Sequence, residues 1–442
     1  MAERHFERLL KHLCPVIHPA KYGTTSAQFA SAFARSYDMG QLAMPNAALE
    51  GLTIVECGKT GAASYASKLM ADLGAEVIKV EPPDGDPLRS LGPFPGGEPH
   101  PEKSGAFLYR NCNKLGVTLD LTSEAGRGVL HKLLKDADAL IHDFPPTEAA
   151  PLGLTYDAIG GDFPNLVMTS ITPFGQDGPY RDYKAYDLTT LSAGGWAWLN
   201  GWPGEDGLPP LRAFGNQAEY QAGVNGALAT MGALFARLRT GKGQHIDISA
   251  QECITAILEM TFAFWPYMQT PTARWGQRPI QPVDFFQCKD GAWIFVLCIE
   301  EAQWQSLVEL MGTPEWTTWE VAANRLVRAS NWDALRPFMK DWVAEQNGDE
   351  LYKLAQEKRI PFAPASTISS LLDSDHLKQR GFFLEVNYPE AGPIKQPGAP
   401  YQFGATPWEI RSPAPTLGQH NAAILGDRLG EDVASLKEAG VI

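Results

Sequence analysis

One carboxylate in this chain sits in a setting suited to covalent chemistry: Glu205–Asp206–Gly207, followed directly by Leu208–Pro209–Pro210. An aspartate is ionised at pH 7, so as a nucleophile it needs no general base. Flanking glycines let substrate and backbone N–H groups come close to it. The same residues also make an ordinary surface turn, because Asp-Gly before Pro-Pro is turn chemistry. Pattern alone leaves both readings open. A second candidate is Gly58–Lys59–Thr60–Gly61, where a strand turns into a helix, the place at which α/β folds receive phosphates and cofactors. It is neither a Walker A nor a G-x-G-x-x-G run, so ATP and NAD are poor candidates. It reads equally as a ligand-contacting loop and as a tight turn.

Other chemistries find no support. The nine histidines show no H-E-x-x-H or facial-triad spacing, and no G-x-S-x-G elbow is present. The six cysteines, at 14, 57, 112, 253, 288 and 298, form no C-x-x-C pair, so a zinc site or disulfide framework is not expected. With 37 Lys+Arg against 51 Asp+Glu the net charge is −14, which argues against nucleic acid and anionic membrane as partners. No apolar run reaches the ~18 residues of a membrane helix. The first 15 residues read as a short amphipathic helix rather than a signal peptide. The expectation is a soluble, cytoplasmic protein, and 442 residues suffice for two or three domains with a core that needs no metal.

The elements that would position these residues follow from hydrophobic spacing. Residues 52–57 form a short apolar strand, 62–73 a helical pattern closed by Gly74, and 77–80 a second strand: a βαβ unit with a right-handed crossover. The pattern repeats with strands at 117–121, 139–142 and 166–171 and a helix at 124–135, which predicts an open α/β sheet. A long helix carries Tyr220, Val224, Ala227, Met231, Phe235 and Leu238 at helical spacing, with Asn216 as its N-cap. Lys289–Asp290–Gly291 between two apolar runs predicts a hairpin, and helices fill roughly 301–375. Beyond 380 the chain has no core of its own.

Several ordered stretches resemble the family III CoA-transferases, the group that includes formyl-CoA transferase, carnitine CoA-transferase and α-methylacyl-CoA racemase. They are G-L-T-I-V-E at 51–56, A-D-L-G-A-E-V-I-K-V-E at 71–81, N-K-L-G-V-T-L-D-L at 113–121, F-G-Q-D-G-P-Y at 174–180, A-Y-D-L at 185–188 and R-T-G-K-G-Q-H-I-D-I-S at 239–249. C-K-D-G at 288–291, R-I-P-F-A-P at 359–364 and L-G-Q-H-N at 417–421 complete the set. The resemblance implies a large Rossmann-like α/β domain built from both chain ends, with its first part at 49–244 and a returning segment at 376–442. A smaller α+β domain would occupy 245–375, and residues 1–48 would be an extension outside the likeness.

The resemblance also implies a role for Asp206, which falls where the transferases carry a nucleophilic aspartate; Glu205 is the fallback one position away. CoA or acyl-CoA would be the substrate, with no metal, and a carboxylic acid the acceptor. CoA contacts carried over by position are Thr60, Gly61, Leu119, Asp120, Thr122, Asp143 and Phe144. The racemase branch is disfavoured. Its G-H-D reads Ala185–Tyr186–Asp187 here and its G-D-F-G-like aspartate falls at Asn216, so both acid/base groups are missing. Asp187 is expected to order the turn after Tyr180. The glycine-rich loop of formyl-CoA transferase has no counterpart between 275 and 285, which argues against the oxalate/formate pair.

Basic residues that the family places around the nucleotide are missing: Glu81–Pro82–Pro83 replaces E-R-P, and Phe144–Pro145–Pro146–Thr147 replaces F-R-P-G with Pro151 in place of a further arginine. Lys59, Arg89, Arg110 and Lys114 are the candidates to compensate. The family implies an interlocked homodimer. The alternative is a non-catalytic or CoA-deficient subunit of a heteromer with a paralogous chain.

Overall fold

A computed structural model describes residues 46–201, 208–270, 272, 274 and 280–442. Its centre is a six-stranded parallel sheet made of β1 (Thr53–Cys57), β2 (Glu76–Glu81), β3 (Lys114–Thr118), β4 (Ala139–His142), β5 (Val167–Thr172) and β6 (His245–Ser249). The spatial order is β3-β2-β1-β4-β5-β6. The order reverses between β1 and β4, and in doubly wound sheets ligands bind outside the carboxyl ends of the strands at such a point.

Parallel strands covered on both faces read as continuous apolar runs, as these do. Ile54, Val77, Ile141 and Val167 face one layer with helix α1 (Gly61–Asp72) and the long helix Gln217–Thr240. Val55, Ile78, Leu140 and Met168 face the other, with the helix Glu124–Leu134 and the chain's C-terminal residues Leu425 and Val441. The returning tail therefore contributes to this core, as expected for a segment with none of its own.

Three details differ from the sequence expectation. The third strand begins at Lys114, three residues earlier than its apolar run, because Lys114 pairs in register with Val77 and its charge is neutralised inside the protein. His245–Ser249, at which the sequence places the start of the small domain, pairs with β5 as the sixth strand of the large sheet. In the helix Gln217–Thr240 the buried residues are mostly small, among them Ala218, Ala222, Gly223 and Gly226, while Val224, Leu228, Phe235 and Leu238 are exposed. A Cβ on Gly223 would stand 2.9 Å from the Ala62 carbonyl, so close approach of the two helices requires glycine there, and one on Gly226 would stand 2.4 Å from Ile171 Cδ1 on β5.

The smaller core gathers around an antiparallel sheet of β7 (Val283–Gln287), β8 (Trp293–Leu297) and β9 (Ala363–Pro364). The predicted hairpin is β7–β8, turning at Lys289–Asp290–Gly291. Helices at Glu301–Leu310, Trp332–Ala344 and Gly348–Glu357 supply Trp304, Leu335, Met339 and Leu351 to its interior. A last hairpin, β10 (Phe383–Tyr388) with β11 (Gly392–Pro397), packs Val386 and Tyr388 against Leu88 and Phe107.

Candidate active site

Thr60 and Gly61, which follow β1, and Asp143, which follows β4, meet at the sheet's reversal point. Asp143 is 2% exposed. Its Oδ1 accepts from the Lys59 amide at 2.8 Å, and its Oδ2 from the Thr60 amide at 3.0 Å and the Thr60 hydroxyl at 2.5 Å. The Lys59 and Thr60 amides, just ahead of α1, are thus taken by the chain's own carboxylate. The loop Gly58–Gly61 is thus tied down by Asp143.

Burial pushes the Asp143 carboxyl up to about 7, against the lowering effect of Thr60 and Lys59. A carboxyl whose folded value lies above its unfolded value keeps a proton that the unfolded chain releases between about pH 4 and 7, so its contribution to stability falls as pH rises through that window. We expect the difference in melting temperature between wild type and Asp143→Asn to fall across pH 4–7 and to level off above it. A flat difference would mean that Asp143 titrates as an ordinary carboxylate.

The remaining position-matched residues divide into two kinds. Phe144 is partly buried beside Asp143, and Lys59 Nζ lies 5.6 Å from its ring centroid while pairing with Glu148. Asp120 and Thr122 form a turn after β3, with Asp120 Oδ1 accepting from the Thr122 amide at 2.9 Å and hydroxyl at 2.6 Å. Thr122 is exposed. Leu119 is a core residue whose amide donates to the Glu81 carbonyl.

Of the four compensating cations, three are engaged inside the protein. Lys114 bonds Glu56, Arg89 bonds Glu81 and Glu102, and Arg110 faces Glu219. Lys59 alone of the four has a side chain appreciably exposed, at 31%.

Beyond Gly61 lies a cluster that the sequence only partly revealed. Asp187 does not order the turn after Tyr180; it opens the helix Asp187–Ala193, and its Oδ1 accepts the Glu219 amide at 3.0 Å. It thereby caps the long helix in place of Asn216, whose Nδ2 instead donates to Glu219 Oε2 at 3.0 Å. Burial raises both the Asp187 and the Glu219 carboxyl above the ordinary range. Tyr186, the position of the racemase histidine, points outward at 84% exposed and makes no acid/base partnership with Asn216. Glu219 gave no signal in sequence because a glutamate in the first turn of a helix is ordinary there.

Asp206 and Glu205 lie outside the described residues, as does Trp202. The chain on either side of them lines a cleft of about 580 Å³ with Leu188, Trp198, Pro210, Leu211 and Arg212. A separate cleft of about 700 Å³ lies between β10 and residues 402–413, where the Glu409 amide bonds the Asp72 carbonyl at the far end of α1 from Gly61.

No helix among the described residues is long and apolar enough to cross a membrane, and no group of three metal-ligating side chains occurs among them.

The sequence model described as CoA-transferase family III matches residues 49–421. The succinyl-CoA:(R)-benzylsuccinate CoA-transferase subunit BbsE of Thauera aromatica is 35% identical over 82% of this chain and 90% of its own length. The succinyl-CoA–L-malate CoA-transferase alpha subunit of Chloroflexus aurantiacus is 27% identical over 91% of this chain and 94% of its own. A solved CAIB/BAIF family protein from Brucella suis superposes with a TM-score of 0.79 at 29% identity, covering 87% of this chain and all of that one. Its ordered motifs, its doubly wound sheet and these likenesses agree: the chain belongs to CoA-transferase family III.

Proposed function

We propose that this chain moves CoA between an acyl-CoA thioester and a free carboxylic acid, with Asp206 as the covalent nucleophile. The observation that supports the reading is the β1/β4 reversal point, where the loop carrying Thr60 and Gly61 is bonded to Asp143, next to Phe144. In this reading the Asp206 carboxylate attacks the thioester carbonyl and expels CoA thiolate, leaving a mixed anhydride. The thiolate attacks the aspartyl carbonyl of that anhydride, releasing the donor acid and forming an aspartyl-CoA thioester. The incoming acid is acylated by the reverse sequence, so the thioester's free energy is kept. Relatives named for succinyl-CoA make it the first donor to try. Intact mass after incubation with a panel of acyl-CoAs tests the reading: a CoA adduct supports it, and absence of any adduct together with failure to bind free CoA counts against it.

A second reading, that the chain works as one subunit of a heteromer, is favoured by two observations. Relatives are named as subunits, including an alpha and beta pair from Chloroflexus aurantiacus. In addition, two of the four cations available to clamp the nucleotide, Arg89 and Lys114, are committed to internal ion pairs, and a third, Arg110, is buried. In either assembly we assign the chain–chain contact to the face of the helix Gln217–Thr240 on which Val224, Leu228, Phe235 and Leu238 are exposed among the described residues. Light scattering distinguishes the states: the chain alone at twice 48.3 kDa is a homodimer, and recovery of CoA binding only on mixing with a paralogous chain is a heteromer.

A further inference from the structure

We propose that Arg110 receives a carboxylate of the acid substrate, an assignment that rests on the transferase reading and names what its acid site recognises. Arg110 ends the helix Gly105–Arg110, and its side chain is only 4% exposed. A buried guanidinium normally fills its donors, and Arg89 in the same protein does so. Its Nε and Nη2 both reach Glu81, at 2.6 and 2.8 Å, in the bidentate fork that carboxylates favour. At Arg110 the same edge is open. Nε has no hydrogen-bond partner and Nη2 meets Glu219 at 3.5 Å. The guanidinium is nevertheless held in place, its Cζ 4.8 Å from the Tyr220 ring centroid.

The open edge faces the start of α1. A Cβ on Gly61 would lie 2.7 Å from Arg110 Cζ and 2.2 Å from Glu219 Oε2. The missing side chain is what lets these groups meet there. Glu219 occupies the position of an anion, accepting from the Gly61 amide and from Asn216 while only grazing Arg110. Its side chain is 22% exposed, which gives it a way out, and its backbone stays anchored through Asp187. A ligand carboxylate that displaces it gains both fork donors of Arg110 and the helix-terminal amide. The site lies beside Thr60 and Gly61, within the crevice assigned to the thioester.

Calorimetric titration of the full chain with succinate and with butyrate tests this without requiring turnover. Wild type is expected to bind succinate, and Arg110→Gln to weaken that binding about 10- to 100-fold while CoA affinity stays within about 2-fold. Arg110→Lys keeps the charge but loses the fork, so it is expected to restore only part of the affinity. Weakening of succinate alone assigns Arg110 to the distal carboxylate of a dicarboxylic acid. Weakening of both acids assigns it to the carboxylate that receives CoA. The proposal is overturned if wild type binds neither acid, or if both variants bind as wild type does. Should Arg110→Gln lose CoA binding as well, the lysine variant alone decides, by a weakened or an unchanged acid affinity. Acid binding through Arg110 with no covalent CoA adduct on any thioester would defeat the transferase reading and leave this assignment standing.

Discussion

Replacing Asp206 with alanine is expected to lower CoA transfer by about 10⁴-fold or more while leaving the affinity for free CoA within about 2-fold of wild type. The first figure follows from the chemistry. Removing the nucleophile of a covalent mechanism removes the whole pathway rather than one contact, so the residual rate is that of direct attack by the acceptor acid, which has no intermediate to divide the barrier. The second figure follows from the geometry. The crevice residues Thr60, Gly61, Asp143 and Phe144 are fixed by the hydrogen bonds of Asp143 to the loop after β1, none of which involves residues 202–207. Mass spectrometry separates the two effects: wild type incubated with an acyl-CoA gains one CoA less one water, hydroxylamine converts the adduct to a hydroxamate, and the alanine variant gains nothing. Glu205→Ala serves as the neighbouring control and is expected to keep the adduct. Transfer that survives in Asp206→Ala but not in Glu205→Ala would move the nucleophile by one residue. Survival in both would end the aspartyl mechanism.

The sheet was legible in the sequence because its strands are buried on both faces, so apolar runs such as 139–142 stand out without alternation. The residues of the candidate site were legible only where they fall in a motif. Thr60, Gly61, Asp143 and Phe144 came from resemblance, and the structure places them together at the reversal point. Arg110, Glu219 and Asp187 did not come from it as a group, since their meeting depends on the packing of two helices across Gly61, a long-range contact that no local pattern encodes. The long helix misled for a related reason. Its large apolar residues imply a buried stripe by periodicity, yet glycine and alanine take most of the inner face, where α1 lies close. Charged residues inside strands were the hardest to place. Lys114 falls outside the apolar run that marks its strand in sequence, and its neutralisation by Glu56 allows it to be interior.

That interior group sets the largest stability effect expected in this protein. Glu56 is wholly buried; its Oε1 accepts from Lys79 at 2.8 Å and from Ser64 at 3.0 Å, and its Oε2 from Lys114 at 2.8 Å and Ser67 at 3.1 Å. Lys79 also contacts Asp86 at 2.7 Å, so two carboxylates and two ammonium groups balance out of reach of water. Burial alone would raise the Glu56 carboxyl, but Lys114 and Lys79 overcome it and hold the group well below the usual carboxylate range, ionised across ordinary pH. Removing one member of a buried pair strands the other, at a cost of about 3–5 kcal/mol. Glu56→Gln is therefore expected to destabilise the large domain by about that amount. Lys114→Met should do likewise, leaving two carboxylates with one lysine. The double variant restores balance around Lys79 and Asp86, so it should cost less than the sum of the two by about 2 kcal/mol or more. Because the chain has more than one core, the measurement is hydrogen-exchange protection of the β1–β3 amides rather than a single melting curve. Strict additivity would mean that the charges are screened and that the group contributes packing alone. The network also bears on catalysis, because a Cβ on Gly58 would lie 2.7 Å from Glu56 Oε1 and 3.5 Å from Asp143 Oδ2. The loop that carries Thr60 and Gly61 rests between these two carboxylates. Shifting Glu56 must therefore shift the crevice, and the Glu56→Gln variant is expected to lose CoA affinity in proportion to the protection it loses at β1.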